Sequence, residues 1–166
     1  MPAEVYLARF DGEGSEEEAR ALAGQVFDEA GLARITRDGE LCAVKTHFGE
    51  EGNRTYVSPD CVREFIHRLK RAGARPALVE TSTLYTGHRH NALDHFELAC
   101  RHGFGYEELG CPLLLLDGLR GDHEHEIEVK LERFDTVAAA GDLPHVPSML
   151  VVTHLTGHIL AGVGGA

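Results

Sequence analysis

Residues 41–82 read LCAVKTHFGEEGNRTYVSPDCVREFIHRLKRAGARPALVETS, which contains a complete strand–helix–strand pattern. An apolar run of strand length opens it at residues 41–48, and a second one closes it at residues 75–82. Between them, residues 58–73 begin with Ser-Pro and end with Gly, which is typical of a helix. One helical face carries the apolar residues Val62, Phe65, Ile66 and Leu69. This order predicts two parallel strands joined by a right-handed crossover.

The same alternation continues on the N-terminal side of this unit. Residues 4–10 alternate briefly between apolar and polar positions and predict a strand. Residues 15–31 have helical spacing, with Ser15 as the N-cap and Gly31 where a C-cap glycine would end the helix. We therefore expect a strand and a capped helix before residue 41.

Further strands and one further helix are predicted downstream. Residues 91–103 predict a helix, whereas 111–118 and 148–155 have the pattern of buried strands. Residues 125–141 alternate and predict an antiparallel pair. We therefore expect one α/β domain over residues 1–166: a three-layer α/β/α sandwich with a mostly parallel, Rossmann-like sheet and a small antiparallel excursion.

Composition narrows the classes of function. The chain has 166 residues, of which 43% are hydrophobic and 26% charged, as in ordinary globular proteins. Its net charge of −11 disfavours nucleic acid and anionic membranes as partners. No signal peptide or membrane-length apolar run is evident, so a cytoplasmic location is expected. The four cysteines form no C-x-x-C pair, so we expect no iron–sulfur cluster in this chain.

Polar side chains follow the four predicted parallel strands. His47 follows the first strand, Glu80 and Thr81 the second, Asp117 the third and His154 the last. Ligands of open parallel sheets bind where the carboxyl ends of the strands meet, so we expect these residues along one edge. Asp117 and Glu80 are the candidate catalytic residues. The alternative is that these are ordinary polar strand exits.

A divalent metal ion is one candidate ligand of this edge. His154 and His158 are four residues apart, a spacing that lets two imidazoles meet one metal if the segment is helical. With His47 they form the predicted metal site. The alternative is that the chain's eleven histidines are solvated surface residues.

A cofactor or an anion, either phosphate or carboxylate, is a second candidate ligand. Arg89 and the backbone amides near Asn91 could hold such a group at a helix start. The glycines of the C-terminal segment could form an anion-binding nest, or they are a flexible end. The candidate cofactor-binding residues are Thr81, Arg89, Asn91, Gly162, Gly164 and Gly165.

Four long segments carry a family resemblance: residues 44–66, 79–104, 113–129 and 151–166. Together they resemble the domain of unknown function 362 family, the uncharacterised iron-sulfur-centre proteins. Its motif positions fall on His47, Asn53, Thr81, Thr83, Asn91, Asp117, Gly118, His154, Gly157, His158, Gly162, Gly164 and Gly165. The resemblance implies the N-terminal part of a longer family domain, whose members often continue into a ferredoxin-like segment.

Three functions remain open at this point. The first is a metal- or cofactor-dependent enzyme of redox or transferase type that uses the strand-tip His, Asp and Glu residues. The second is an anion-binding module without catalysis. The third is a non-catalytic remnant whose apolar C-terminal segment is covered in a homodimer.

Overall fold

The computed structural model of the chain describes residues 3–10 and 14–165. Its helices are α1 (Glu16–Glu29), α2 (Pro59–Arg71), α3 (Ala92–Arg101) and α4 (Tyr106–Leu109), with short 3₁₀ helices at Leu32–Ile35 and Leu143–His145. Its strands are β1 (Leu41–Lys45), β2 (Arg75–Glu80), β3 (Leu113–Leu115), β4 (Glu124–Glu128), β5 (Thr136–Ala140), β6 (Ser148–Val151), β7 (Thr156–His158) and β8 (Gly162–Gly164). Within these described ranges, no helix combines the length and the apolar character that crossing a membrane requires.

Four strands form one parallel sheet in the order β3-β2-β1-β6. In its register Val44 lies opposite Leu78 on one side and Leu150 on the other. Strands β4 and β5 form a separate antiparallel hairpin, and β7 and β8 form another. The predicted α/β class, with a mostly parallel sheet and an antiparallel excursion, is confirmed.

The two faces of the sheet pack against different partners because successive side chains of a strand point to opposite faces. Val44 and Leu78 belong to the main hydrophobic cluster, together with the apolar face of α2. On α2, Val62, Ile66 and Leu69 are fully buried, which contributes about 1.5–3 kcal/mol for each side chain. The hydrophobic cluster on the other face is smaller, and there Ala43 and Val79 pack near the 3₁₀ helix Leu143–His145.

The predicted helix signals act as expected. The side chains of Ser15, Ser58 and Asn91 each accept a hydrogen bond from the backbone N–H three residues later, which caps α1, α2 and α3. Gly31 and Gly73 have φ values of 61° and 88°, the left-handed conformation that commonly follows a helix. The helix boundaries are therefore encoded locally.

Two strand predictions need correction. Residues 4–10 have no regular structure, and the side chains of Val5 and Leu7 are more than four-fifths exposed. A strand needs a neighbour to satisfy its backbone groups, and the parallel sheet ends at β3 and β6 without this segment. The strand predicted over 111–118 is also shorter, since only residues 113–115 pair with β2.

Candidate functional site

The carboxyl edge of the parallel sheet brings the predicted strand-tip residues into one row. Because all four strands are parallel, the positions after them follow the strand order: Asp117, Thr81, His47 and His154. Neighbouring strands lie about 4.8 Å apart, so β3 and β6 are separated by roughly 14 Å. The expectation that these residues share one edge is confirmed, and the row is long enough to hold distinct sites.

A cleft of about 200 Å³ opens between the loops that follow β1 and β6. Its lining is rich in hydroxyl and imidazole groups, with Tyr56 and Val57 as apolar walls. The polar lining residues are Thr46, His47, Asn53, Thr55, Thr153, His154 and Thr156, and Gly165 also borders the cleft. Two predicted metal ligands and one predicted cofactor-binding glycine therefore meet at a single cleft.

His154 is held in one tautomer at this cleft. Its Nδ1 lies 2.6 Å from the backbone carbonyl oxygen of Thr55. A carbonyl oxygen can only accept a hydrogen bond, so the ring proton must be on Nδ1. In the neutral ring the lone pair is therefore on Nε2, where it can accept a proton or bind a metal ion.

The hydroxyl groups of the cleft differ in the hydrogen bonds that they can still form. The Thr55 hydroxyl donates to Oδ1 of Asn53 at 2.9 Å, so its proton is engaged and its lone pairs remain. The backbone N–H of Thr55 donates to the same Oδ1 at 2.6 Å, which fixes the local turn. The side chain of Thr46 is fully buried, and its Oγ1 has no hydrogen-bond partner among the described residues. Thr46 borders the cleft, but this Oγ1 atom is itself closed to solvent, so it is an unsatisfied polar group just beneath the cleft lining.

His47 forms the wall between the cleft and the protein interior. Its Nδ1 accepts the backbone N–H of Gly49 at 2.8 Å, and its Nε2 lies 2.6 Å from Nη1 of Arg89. Burial lowers the pKa of His47, and the nearby positive charge of Arg89 lowers it further. The neutral ring can accept from only one of these two N–H groups, and a doubly protonated ring could accept from neither. His47 is therefore a neutral imidazole at pH 7.

Behind His47 lies a buried ion cluster, defined by Lys45, Glu50, Glu80 and Arg89. Nη1 of Arg89 contacts Oε1 of Glu50 at 2.5 Å, and Nη2 is 3.9 Å from Oε1 of Glu80. Nζ of Lys45 lies 3.3 Å from the same Glu80 oxygen. Two cations thus balance two carboxylates, although Arg89 and Glu80 are almost completely buried. Pairing of this kind is what permits charges in a protein interior.

Glu50 links the ion cluster to the loop that follows β2. It accepts hydrogen bonds from Arg89 and from the Tyr85 hydroxyl. Burial raises the pKa of Glu50, but the Tyr85 hydrogen bond and the Arg89 charge outweigh it and hold the pKa below its usual value. The loops that follow β1 and β2 are thereby joined through ionised groups.

His95 is a buried histidine on α3, next to the ion cluster. Its ring lies 5.3 Å from the ring of Phe48, and neither ring nitrogen has a hydrogen-bond partner in the described part of the chain. Burial and the charge of Arg89 lower its pKa to about 4. His95 is therefore neutral at pH 7.

The predicted catalytic residues Glu80 and Asp117 are both buried but lie in different surroundings. Glu80 belongs to the ion cluster. Oδ2 of Asp117 accepts the backbone N–H of Ser82 at 2.6 Å, whereas its Oδ1 and the Ser82 hydroxyl have no partner among described residues. Asp117 is two strands away from His47, so the structure does not bring it to the cleft.

The predicted three-histidine metal site is not assembled. Residues 156–158 form strand β7 rather than a helix, so the spacing of His154 and His158 does not place them on one helical face. Nδ1 of His158 instead accepts the backbone N–H groups of Leu160 and Ala161. Across residues 3–10 and 14–165, no group of three or more His, Cys, Asp or Glu side chains could hold a metal ion. The chain turns at residues 159–161, and Gly162, at φ 78°, admits the left-handed backbone with which β8 begins its pairing with β7.

The predicted anion-binding groups are engaged elsewhere. The Asn91 side chain accepts the backbone N–H of Asp94, and its amide nitrogen donates to the Asp94 carboxylate at 2.7 Å. Arg89 belongs to the ion cluster, and the N–H of Thr81 donates to Glu80. Gly162 and Gly164 pair with β7 in the hairpin. This arrangement does not favour phosphate or carboxylate binding at the start of α3.

The cysteines do not fit an iron–sulfur cluster. Cys42 and Cys111 are packed in the main hydrophobic cluster, and burial raises the pKa of both thiols. Cys61 lies on α2 and Cys100 on α3. Clusters need thiolates that converge on one point, whereas these four cysteines lie on separate parts of the fold.

Sequence reasoning missed several residues of the site. Lys45, Thr46 and Glu50 flank His47 in the chain, but polar residues after a strand are usually solvated, so proximity alone did not mark them. His95 had a usable signal, because it lies three residues from both Ala92 and Leu98 on the buried face of α3. A histidine on an apolar helical face is a candidate for burial.

Comparison with known proteins agrees with the family resemblance. The family model described as Domain of unknown function (DUF362) matches residues 42–166, which include the cleft and the parallel sheet apart from Leu41. No curated protein matches the chain, and no solved structure does. Because the match spans well over half of the sequence, the chain belongs to the DUF362 family, a family defined by a domain of unknown function.

Proposed function

We propose that the cleft between the β1 and β6 loops is the substrate site of an enzyme that performs acid–base chemistry on a small polar molecule. His154 is the proton acceptor in this proposal. The observation that carries it is the hydrogen bond from Nδ1 of His154 to the Thr55 carbonyl, which leaves the Nε2 lone pair on a ring that borders the cleft. An imidazole with an anchored Nδ1–H is a common form of general base.

The surroundings of His154 support this assignment over a purely structural role. The cleft lies at the carboxyl edge of a parallel sheet, where ligands of such folds bind. Beneath its lining lies the buried Thr46 hydroxyl, which has no partner among the described residues.

A metal- or cofactor-dependent redox or transferase reaction would be a more specific form of the same proposal. Nε2 of His154 is the atom that would serve a metal ion, since both nitrogens of His47 face protein donors. Asp117 and Glu80, proposed from the sequence as catalytic, would act at a distance from this cleft. The anion-binding alternative is less well supported, because Arg89 and Asn91 are engaged within the protein.

A homodimer is a second proposal, favoured by a different observation. The β7–β8 hairpin exposes Leu155, Ile159 and Leu160, each at least 70% accessible. Apolar side chains grouped in this way are typical of association surfaces. Light scattering across a range of protein concentrations would test it, and a concentration-independent monomer would count against it. The cytoplasmic location stays a prediction.

The enzyme proposal can be tested by separating binding from proton transfer. In His154→Asn the amide nitrogen can replace Nδ1 as donor to Thr55, but no group replaces Nε2. We expect the native chain to catalyse deuterium exchange from D2O into a member of a panel of small hydroxy ketones, followed by proton NMR. The variant should lose exchange and still bind that compound.

The matched control is His125→Asn, on the exposed hairpin strand β4, which should exchange like the native chain. Equal exchange by His154→Asn and the native chain would contradict the role of His154. Binding that maps to residues outside the cleft would contradict the site itself.

A further inference from the structure

We infer that the cleft takes an uncharged, hydroxyl-rich ligand rather than a phosphate or a carboxylate. This inference rests on the proposed function, because it names the class of molecule that the same cleft would bind. Three independent features of the cleft lead to it: the direction of its hydrogen bonds, the charge of its walls and its volume.

The first feature is that two of the cleft's polar groups present lone pairs and not hydrogens. The Thr55 hydroxyl donates its only proton to Asn53, and His154 donates its only ring proton to the Thr55 carbonyl. What remains toward a ligand is the oxygen lone pairs of Thr55 and the Nε2 lone pair of His154. Carboxylate and phosphate oxygens are themselves acceptors, so they would meet acceptors at these two positions, and only groups such as the Asn53 amide and the Thr156 hydroxyl could donate to them. Alcohol O–H groups are donors that match both positions.

The second feature is the charge of the lining. None of the described side chains that line the cleft belongs to Asp, Glu, Lys or Arg. The Arg89 guanidinium, which contacts the lining residue His47, is paired with Glu50. A charged ligand would therefore lose its hydration without gaining an ion pair, which is unfavourable for either sign of charge. The chain's net charge of −11 adds a further repulsion of anions.

One nearby group could have favoured an anion, namely the start of α2 after Val57. The N-terminus of a helix attracts negative charge. Here the Ser58 side chain already accepts the Cys61 N–H, and Asp60 places a carboxylate in the first turn. The positive end of α2 is therefore occupied by the protein's own acceptors.

The third feature is size together with the buried Thr46 hydroxyl. The Thr46 hydroxyl lies buried beneath the cleft lining without a partner in the described chain, and it can both donate to and accept from an alcohol group that a rotation of its side chain would bring within reach. A cavity of about 150 Å³ holds a benzene molecule. The volume of about 200 Å³ therefore suits a ligand of roughly eight non-hydrogen atoms, which is the size of a four-carbon polyol.

The test compares two probes of equal carbon number, the uncharged tetrol erythritol and the dicarboxylate succinate. Each is titrated into the ¹⁵N-labelled chain at constant ionic strength and pH 7, and amide chemical shifts are followed by NMR. Erythritol should shift the amides of residues 46, 55 and 156 in a saturable way, and succinate should not. In Thr46→Val the erythritol affinity should fall about three- to tenfold, the effect of one lost hydrogen bond. Thr136→Val, at an exposed position of β5, should bind like the native chain.

Each other outcome overturns the inference in a distinguishable way. If succinate shifts the same amides and erythritol does not, the ligand class is wrong while the cleft remains a binding site. If erythritol binds equally well to Thr46→Val, its site is elsewhere. If neither probe shifts these amides, the hydroxyl-ligand inference fails, whereas the role of His154 is still judged by the deuterium-exchange comparison.

Discussion

Nη1 of Arg89 lies 2.6 Å from Nε2 of His47, although 41 residues separate them in the chain. His47 follows β1 and Arg89 lies in the loop that follows β2, so the contact joins two neighbouring loops at the carboxyl edge. One side of the His47 ring borders the cleft, and its Nε2 meets the ion cluster. The positions of the cleft wall and of the buried charges are therefore coupled through this pair.

Replacing Arg89 by methionine should destabilise the fold strongly. The substitution retains an apolar stem but leaves Glu80 and Glu50 without their shared guanidinium, and only Lys45 remains to balance them. Breaking a buried ion pair by removing one partner costs about 3–5 kcal/mol. We expect a loss of this size in the free energy of unfolding, measured by urea titration at pH 7.

Arg120→Met is the matched control, since Arg120 is exposed and pairs with exposed Asp122. Its effect should stay within about 0.5 kcal/mol. Similar small losses in both variants would show that the Arg89 cluster is not a stabilising element.

His95 should make the protein less stable in acid. Its folded pKa is about 4, and the unfolded value is about 6.5. As the pH falls through this window the unfolded chain binds a proton and the folded chain does not, so the free energy of unfolding decreases. A shift of this size corresponds to at most about 3 kcal/mol from this residue.

In His95→Leu this part of the pH dependence should disappear, which urea titrations between pH 4 and pH 7 would measure. His125→Leu, in the exposed strand β4, should keep the native dependence. A histidine NMR titration that gave His95 a midpoint near 6.5 would contradict the prediction directly.

Thr46→Val should leave the ligand-free protein as stable as before, or slightly more stable. The Thr46 hydroxyl is buried without a partner among the described residues, so replacing it by a methyl group removes an unsatisfied polar atom. Such a change is close to neutral or stabilising, within about 1 kcal/mol. Thermal unfolding beside Thr136→Val would measure it, and a loss above roughly 2 kcal/mol would reveal a hydrogen bond in the native cleft.

Gly49→Ala should damage the cleft through Tyr56. Gly49 has a φ of 88°, and a Cβ placed there would overlap the Tyr56 ring, which lines the cleft and stacks on His102. Gly39→Ala is the matched control, because its φ is 73° and a Cβ there meets no atom within 4 Å. The control should lose only the backbone contribution of about 1–2 kcal/mol.

We expect Gly49→Ala to lose about 1–3 kcal/mol more than the control, since the ring must move. Urea titration gives the energies, and the NMR shifts of Tyr56 and His102 report the displacement. Equal losses in the two variants would mean that the Tyr56 ring moves without a measurable loss in the free energy of unfolding.

Much of the fold was predictable from local patterns. The caps of α1, α2 and α3 and strands β1, β2 and β6 follow from spacing and from Ser, Asn and Gly at their ends. The strand predicted over residues 4–10 does not form, because an alternating pattern does not supply a neighbouring strand to pair with. Residues 156–158 do not form the helix that the spacing of His154 and His158 would need, because this segment pairs with residues 162–164 as a hairpin.

The sequence by itself determined the parallel α/β class and the row of polar residues at one sheet edge, because periodicity, caps and strand direction depend on nearby residues. Only the tertiary structure decided how those residues are used. It placed Arg89 beside His47 and Glu80 in the interior, and it put the Thr55 carbonyl against His154. The burial of these side chains, the tautomer of His154 and the pairing of the charges depend on loops that meet at the carboxyl edge of the sheet. Distances between such loops are set by the packing of the whole sheet, so no local pattern encodes them.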